Sequence, residues 1–165
     1  MNKKHLSFED ISGLTLQLCH HIEQSEWTPS IVVGVTRGGL LTAKMLSHYF
    51  GVPMSTLDVS LRDLTLWSEN LNTSLVLEVF NMHNILVIDD INDSGATGDK
   101  IKKTWSETLS KLEEKHRGWP FNQIKFGVLL ENEASSHKSD FWGKKINKSQ
   151  EPVWYVFPWE ISRRD

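Results

Sequence analysis

The first periodic signal in the chain is helical. Apolar residues at Ile11, Leu14, Leu18 and Ile22 recur at three- and four-residue spacing, which predicts a helix to about Ser25. Ser7 and Asp10 form the capping-box pattern expected at its start. Trp27-Thr28-Pro29 breaks the period. Ile31 to Val35 is then a continuous apolar run with one glycine, as in a parallel strand covered on both faces. Thr36-Arg37-Gly38-Gly39 reads as a turn and Leu40 to Phe50 as the helix behind it. Gly51-Val52-Pro53 closes that helix, and Met54 to Val59 alternates like a second strand.

Residues 60–81 contain neither glycine nor proline and are less regular, so they read as a mobile excursion with short pieces of structure. Ile85 to Ile88 is the clearest buried strand, followed by an acidic, glycine-containing loop. Thr97 to about His116 is amphipathic at helical spacing, Ile124 to Leu130 is a further strand, and a polar segment (132–151) leads to the apolar piece Val153 to Trp159. Strands alternating with helices predict an α/β fold: a mainly parallel twisted sheet flanked by helices, in a single domain covering 1–165.

Composition narrows the function more than the fold. With 165 residues, 39% hydrophobic and 24% charged, the chain has the size and balance of one globular domain. The net charge of −3 gives no bulk attraction to nucleic acid or to an anionic membrane, so phosphate binding would need a local site. No apolar run reaches the roughly 18 residues of a membrane span, and the first residues, MNKKHLSFED, turn acidic too early for a signal peptide. The single cysteine, Cys19, excludes an intrachain disulfide. The expectation is a soluble, cytoplasmic domain. His20-His21 reads as a solvated helix face and Cys19 as a buried thiol.

The chemistry concentrates in Ile85-Leu-Val-Ile-Asp89-Asp90-Ile-Asn-Asp93-Ser94-Gly95-Ala96-Thr97. Ligands of open α/β sheets bind beyond the carboxyl ends of the strands. The Ser-Gly-Ala-Thr turn offers backbone N–H groups, two hydroxyls and a helix N-terminus, a cradle for phosphate. Asp89, Asp90 and Asp93 would repel a bare phosphate. They suit a ligand that also brings sugar hydroxyls and a metal ion. Upstream, Ile31 to Leu40 is a second strand–turn–helix: Arg37 supplies a fork of donors suited to phosphate, and Gly38 and Gly39 leave the peptide N–H groups open to an anion.

The acidic segment closely resembles the signature for 5-phosphoribosyl-1-pyrophosphate (PRPP) of the type I phosphoribosyltransferases. Arg37-Gly38-Gly39 resembles the pyrophosphate loop of that family, and the whole stretch looks most like its xanthine-guanine and purine members. The resemblance implies the type I fold with a small C-terminal hood over the base. It implies transfer of the phosphoribosyl group from PRPP to a nucleobase, guanine, xanthine or hypoxanthine being candidates, with release of pyrophosphate and a place in purine salvage. It further implies Mg2+ held by Asp90 and Asp89, the 5′-phosphate on Asp93, Ser94, Gly95, Ala96 and Thr97, and pyrophosphate on Arg37 and Gly38. Asp93 is implied as the group that takes the proton from the attacking nitrogen. In Val153-Trp154-Tyr155-Val-Phe-Pro158, Trp154 matches the residue stacked on the base and Tyr155 its neighbour. A homodimer or homotetramer is expected.

Two departures from the family stand out. Asn132, within Leu130-Glu131-Asn132-Glu133, occupies the place of a lysine that reads the base's 6-oxo group. An amide can donate or accept, and the flanking glutamates predict an acidic rim unfavourable to an anionic base. In the 60–81 excursion the relatives have a basic residue for pyrophosphate. Here Arg62 is the only cation at its base, with pyrophosphate binding and an ion pair with Asp63 as its two readings. Two other functions share the PRPP site: a PRPP-binding regulatory protein without turnover, and transfer to a non-purine acceptor.

Overall fold

The structure is a computed structural model that describes residues 2–59, 66–67, 83–112 and 122–160, the side chains of 66–67 and 109–112 excepted. The elements in chain order are β1 (Asn2–His5), α1 (Phe8–Gln24), β2 (Ile31–Thr36), α2 (Leu40–Phe50), β3 (Met54–Val59), β4 (Leu66–Trp67), β5 (Ile85–Asn92), α3 (Ala96–Leu112), β6 (Ile124–Asn132), β7 (Phe141–Ile146) and β8 (Val153–Val156). Six strands form one sheet in the order β4-β3-β2-β5-β6-β7, and β1 pairs with β8 in a separate ribbon. Every pairing in the large sheet is parallel except β3 with β4. The α/β architecture expected from the sequence is present.

The continuous apolar runs follow from double coverage. On one face, Leu18, Cys19 and Ile22 of α1 and Ala43 and Leu46 of α2 pack on Val32, Leu86 and Ile88. On the other, Ile101 and Trp105 of α3 pack on Val33, Val87 and Phe126. Ser7 caps α1 through the predicted box, its Oγ accepting from Asp10 N at 3.1 Å while Asp10 Oδ2 accepts from Ser7 N at 2.7 Å. Cys19 is buried, and burial pushes its thiol up to about 11. No helix among the described residues is long and apolar enough to cross a membrane.

Strand order sets the position of the site. From β2 the chain moves outward to β3, then returns to lay β5 on the other side of β2. The direction of winding reverses between β2 and β5, so the helices that follow them diverge and a crevice opens at their carboxyl ends. Both motif loops leave from that crevice.

Four local features differ from the sequence expectation. β5 does not stop at Ile88 but runs through the acidic pair, because Ile91 and Asn92 continue the ladder with Leu130 and Glu131. β7 lies hidden in the polar segment, since it is the sheet edge and Lys144 and Lys145 point to solvent. β1 carries four exposed side chains and owes its strand form to pairing with β8, Lys3 opposite Trp154. His21 does not share the solvated face of His20: its Nδ1 accepts from Trp142 N at 3.2 Å, and its ring sits edge-on to Phe141 and Trp142.

Trp105 is fully buried under the sheet and anchors the helix that starts at the Ser94–Thr97 turn. Trp105→Ala should cost about 3–5 kcal/mol of stability in urea denaturation; a loss under 1 kcal/mol would show that α3 is not held by this contact.

Candidate active site

The turn after β2 passes directly over the acidic end of β5. A Cβ on Gly39 would overlap the carbonyl of Ile88 and lie 3.0 Å from Asp89 Cα, and one on Gly38 would overlap the Asp90 carboxylate. The glycines thus have a packing role that the sequence reading did not include. A side chain at 39 would push the two backbones apart, and one at 38 would force the Asp90 carboxylate out of its place. The Thr36–Arg37 peptide is cis, and Arg37 is exposed. A cleft of about 620 Å³ opens here, lined by Arg37, Gly38, Leu41, Asp90, Trp159 and Glu160.

The turn after β5 is buttressed from behind. Gly95 has φ +95°, a conformation that L side chains rarely adopt, and its missing Cβ would collide with Ser136 Oγ and His137 N. Ser136 N donates to Ser94 O at 3.2 Å, and Ser136 Oγ lies 3.0 Å from both Ser94 O and Asp99 Oδ2. His137 Nδ1 is 3.3 Å from Asp99 Oδ1. Residues 133–140, between β6 and β7, therefore fix the shape of the 94–97 turn and the first turn of α3. Nothing in their sequence signals this, because every contact joins segments some forty positions apart.

At the far end of the loop, Asp93 meets the end of β6 and the turn before β8. Asn132 Nδ2 donates to Asp93 O at 2.9 Å and lies 3.4 Å from Asp93 Oδ1. Asn132 Oδ1 accepts from Lys148 N at 3.1 Å and Ala134 N at 3.3 Å. Asn132 is buried and spends both ends of its amide on neighbours. Lys148 Nζ is 2.6 Å from Asp93 Oδ2 and 5.5 Å from the centre of the Trp154 ring. Trp154 is 49% exposed, with one face open. Tyr155 is partly buried against the apolar cluster that α1, β6 and Phe157 form.

Of the two glutamates expected to make an acidic rim around Asn132, Glu133 is exposed and only Glu131 is withdrawn. Glu131 is buried and turned to the opposite side, where its oxygens accept from Asn92 Nδ2 at 3.0 and 3.1 Å and from Ser139 N at 3.4 Å. Alternation along β6 puts Glu131 and Asn132 on opposite faces, and the charge beside Asn132 is the Lys148 cation. The sequence reading passed over Lys148 because it lies in a polar segment with no motif. Arg62 and most of the 60–81 excursion lie outside the described residues.

The sequence matches the family profile of the phosphoribosyl transferase domain over residues 2–165. The chain belongs to that family. Among solved structures it is similar to a purine phosphoribosyltransferase from Pyrococcus horikoshii, with 22% identity, 98% of this chain and 96% of that one covered, and a TM-score of 0.69. It is also similar to a xanthine-guanine-hypoxanthine phosphoribosyltransferase from Helicobacter pylori (22% identity, 97% and 95% covered, TM-score 0.70). A third likeness is a Neisseria gonorrhoeae protein with bound ppGpp (20% identity, 98% and 91% covered, TM-score 0.65). At these identities the likenesses show the fold. A search of curated proteins gave no match.

Phosphoribosyltransferases are PRPP-dependent transferases, and the family uses Mg2+ with PRPP. The acidic pair has the right chemistry for such a cation. Burial holds the Asp89 carboxyl well above the ordinary carboxylate range, and the negative charge of Asp90 beside it adds to the effect. Burial raises Asp90 to about 6; a hydrogen bond from Ile91 N opposes the rise and the Glu160 carboxylate adds to it. One oxygen of each aspartate accepts a backbone N–H, Asp90 N at 2.9 Å and Ile91 N at 2.7 Å. Crowded carboxyl oxygens without a side-chain cation among the described residues favour a hard divalent cation, and Mg2+ takes one or two carboxylates together with substrate phosphates.

The same crowding has a consequence for stability. Metal-free folded protein holds the Asp90 proton up to about pH 6, the unfolded chain only to the ordinary carboxylate value of 3.8. Between those values the folded state binds the extra proton, so this group's contribution to stability falls as pH rises through the window. Asp90→Asn should therefore exceed wild type by about 1–3 kcal/mol at pH 7.5 in EDTA, with the difference closing toward pH 4 in urea titrations. Equal stability at pH 7.5 would contradict the unrelieved charge.

Proposed function

We propose that the protein transfers the 5-phosphoribosyl group of PRPP to a purine base, releasing pyrophosphate, in the manner of a salvage enzyme. The observation that carries the reading is the convergence of the two loops at the switch point of the sheet, with a third carboxylate, Asp93, leading from them toward the open face of Trp154. The N–H groups and hydroxyls of Ser94, Gly95, Ala96 and Thr97 hold the 5′-phosphate at the N-terminus of α3. Asp89 and Asp90 accept hydrogen bonds from the ribose hydroxyls. The same two residues would hold Mg2+, which supplies charge neutralisation for the pyrophosphate. Arg37 and the amides around Gly38 take the leaving pyrophosphate from the cleft side, a preorganised set of donors where negative charge develops.

The acceptor stacks on Trp154, beside Tyr155. A flat heteroaromatic ring suits an exposed indole face. Asp93 is placed to take the proton released by the attacking nitrogen. Lys148 holds Oδ2 at 2.6 Å, whereas Oδ1 meets only the long 3.4 Å contact of Asn132 Nδ2, so Oδ1 is the oxygen assigned to this task.

Incubation with PRPP, Mg2+ and a panel of nucleobases should yield nucleotide and pyrophosphate together with at least one 6-oxopurine. Asp93→Asn keeps size and hydrogen bonding, so turnover should drop about 10²–10⁴-fold while PRPP affinity by calorimetry changes little. Asp90→Asn should weaken both PRPP binding in Mg2+ and the rate. PRPP that binds equally well with and without EDTA would exclude the metal-dependent mode, and binding without nucleotide from any base would turn the reading toward a PRPP-responsive regulator.

A further inference from the structure

We infer that His137, in the connection between β6 and β7, positions the Asp89 carboxyl for PRPP through a water molecule held between them. The inference rests on the PRPP reading above and adds a residue that acts on the ribose end of the site from the α3 side of the sheet.

Alternation along β5 sends its two acids to opposite faces. Asp90 follows Ile88 to the face covered by α1 and α2 and borders the cleft of Arg37. Asp89 follows Val87 to the face covered by Ile101 and Trp105 of α3. There it borders a second, narrower cavity of about 20 Å³, which Thr97, Gly98, His137 and Ser139 also line.

The His137 ring is locked in place at this cavity. It is 8% exposed and stands edge-on to Phe126, with centroids 4.9 Å apart. Gly98 has no side chain where a Cβ would run into the imidazole. Nδ1 lies 3.3 Å from Asp99 Oδ1. Nε2 is buried and has no hydrogen-bond partner among the described residues. Leaving such a nitrogen unpaired costs about 1–3 kcal/mol. A water relieves that cost in either protonation state, since Nε2 accepts in the neutral ring and donates in the cation. The cavity exceeds the roughly 10–15 Å³ that one water needs, and Asp89, Thr97 and Ser139 are further polar residues on its wall.

A carboxylate has about four lone-pair sites. Asp89 can therefore hold this water, the Asp90 N–H already on its Oδ1 and a ribose hydroxyl together. His137 then grips the site at two points, Asp99 in the first turn behind the phosphate loop and Asp89 at the ribose end. The plainer role is a ring that only fills the space over Gly98. The two roles separate by whether the effect of His137 depends on Asp89.

The first test needs no variant. In a crystal structure of the ligand-free protein, a water should lie within about 3.2 Å of both His137 Nε2 and an Asp89 oxygen; a dry cavity, or a water that reaches only one of them, would overturn the inference. The second compares His137→Gln with His137→Phe, which both lose the Nδ1 contact with Asp99 but differ at the cavity end, where glutamine brings an amide. Circular dichroism checks their folding. Ribose 5-phosphate, followed by calorimetry without metal, should bind His137→Gln about 3- to 10-fold more tightly than His137→Phe. With Asp89→Ala added to each, the gap should shrink below about twofold. No gap in the presence of Asp89, or the same gap without it, would make His137 structural and overturn the inference with the PRPP reading intact. Wild type that binds neither ribose 5-phosphate nor PRPP with Mg2+ would overturn the PRPP reading and this inference with it.

Discussion

The site depends on one steric condition: a Cβ at position 39 would run into the β5 backbone, and one at position 38 would displace the Asp90 carboxylate. The turn after β2 lies that close to β5. That contact joins two loops belonging to separate strand–turn–helix units. One contributes Arg37 and open amides; the other contributes two carboxylates and a phosphate-sized turn. A ligand with phosphate at one end, pyrophosphate at the other and a diol between needs all of these within one molecular length. The reversal of winding between β2 and β5 provides the crevice, and the two glycines let it close to that length.

The three acids of the loop are treated differently by their surroundings. Asp93 has a lysine at 2.6 Å. Asp89 and Asp90 have no side-chain cation among the described residues, and burial raises both, with the Asp90 charge adding to the rise at Asp89 and the Glu160 charge to that at Asp90. A fold selected for stability alone would neutralise or remove such a pair. Retaining it unrelieved makes sense where the missing charge arrives with the substrate, so that binding energy and relief of repulsion coincide. Perturbed carboxylates in a cleft are a common mark of a working site. The Asp93 end of the loop follows the opposite logic: its carboxylate is paired with Lys148 and held by an Asn132 amide whose own oxygen is satisfied.

Local signals carried the fold and half of the site. The capping box at Ser7, the helical period through Ile22, the doubly buried runs and the Ser94–Thr97 turn are all short-range patterns, and each is realised. Polar edges were not legible: β7 shows two lysines to solvent and β1 shows four exposed side chains, so neither has an apolar period, and each is a strand only because a partner strand lies beside it. The support of the phosphate turn by Ser136 and His137, the inward turn of Glu131 and the approach of Lys148 to Asp93 all join distant segments. Asn132 was visible as a departure from the family, but its use as a clamp between Asp93 and Lys148 depends on where β6 ends relative to the 147–150 turn, which sequence spacing does not specify.

The central claim is that the loops after β2 and β5 form one PRPP site, and a crystal structure of the protein with PRPP and Mg2+ tests it most directly. The account predicts the 5′-phosphate on the amides and hydroxyls of Ser94 to Thr97, the ribose hydroxyls on Asp89 and Asp90, and the pyrophosphate against Arg37 and Gly38. Phosphate bound on the other side of the sheet, in the cleft of Lys138 and Lys145, with the 94–97 turn empty, would contradict it.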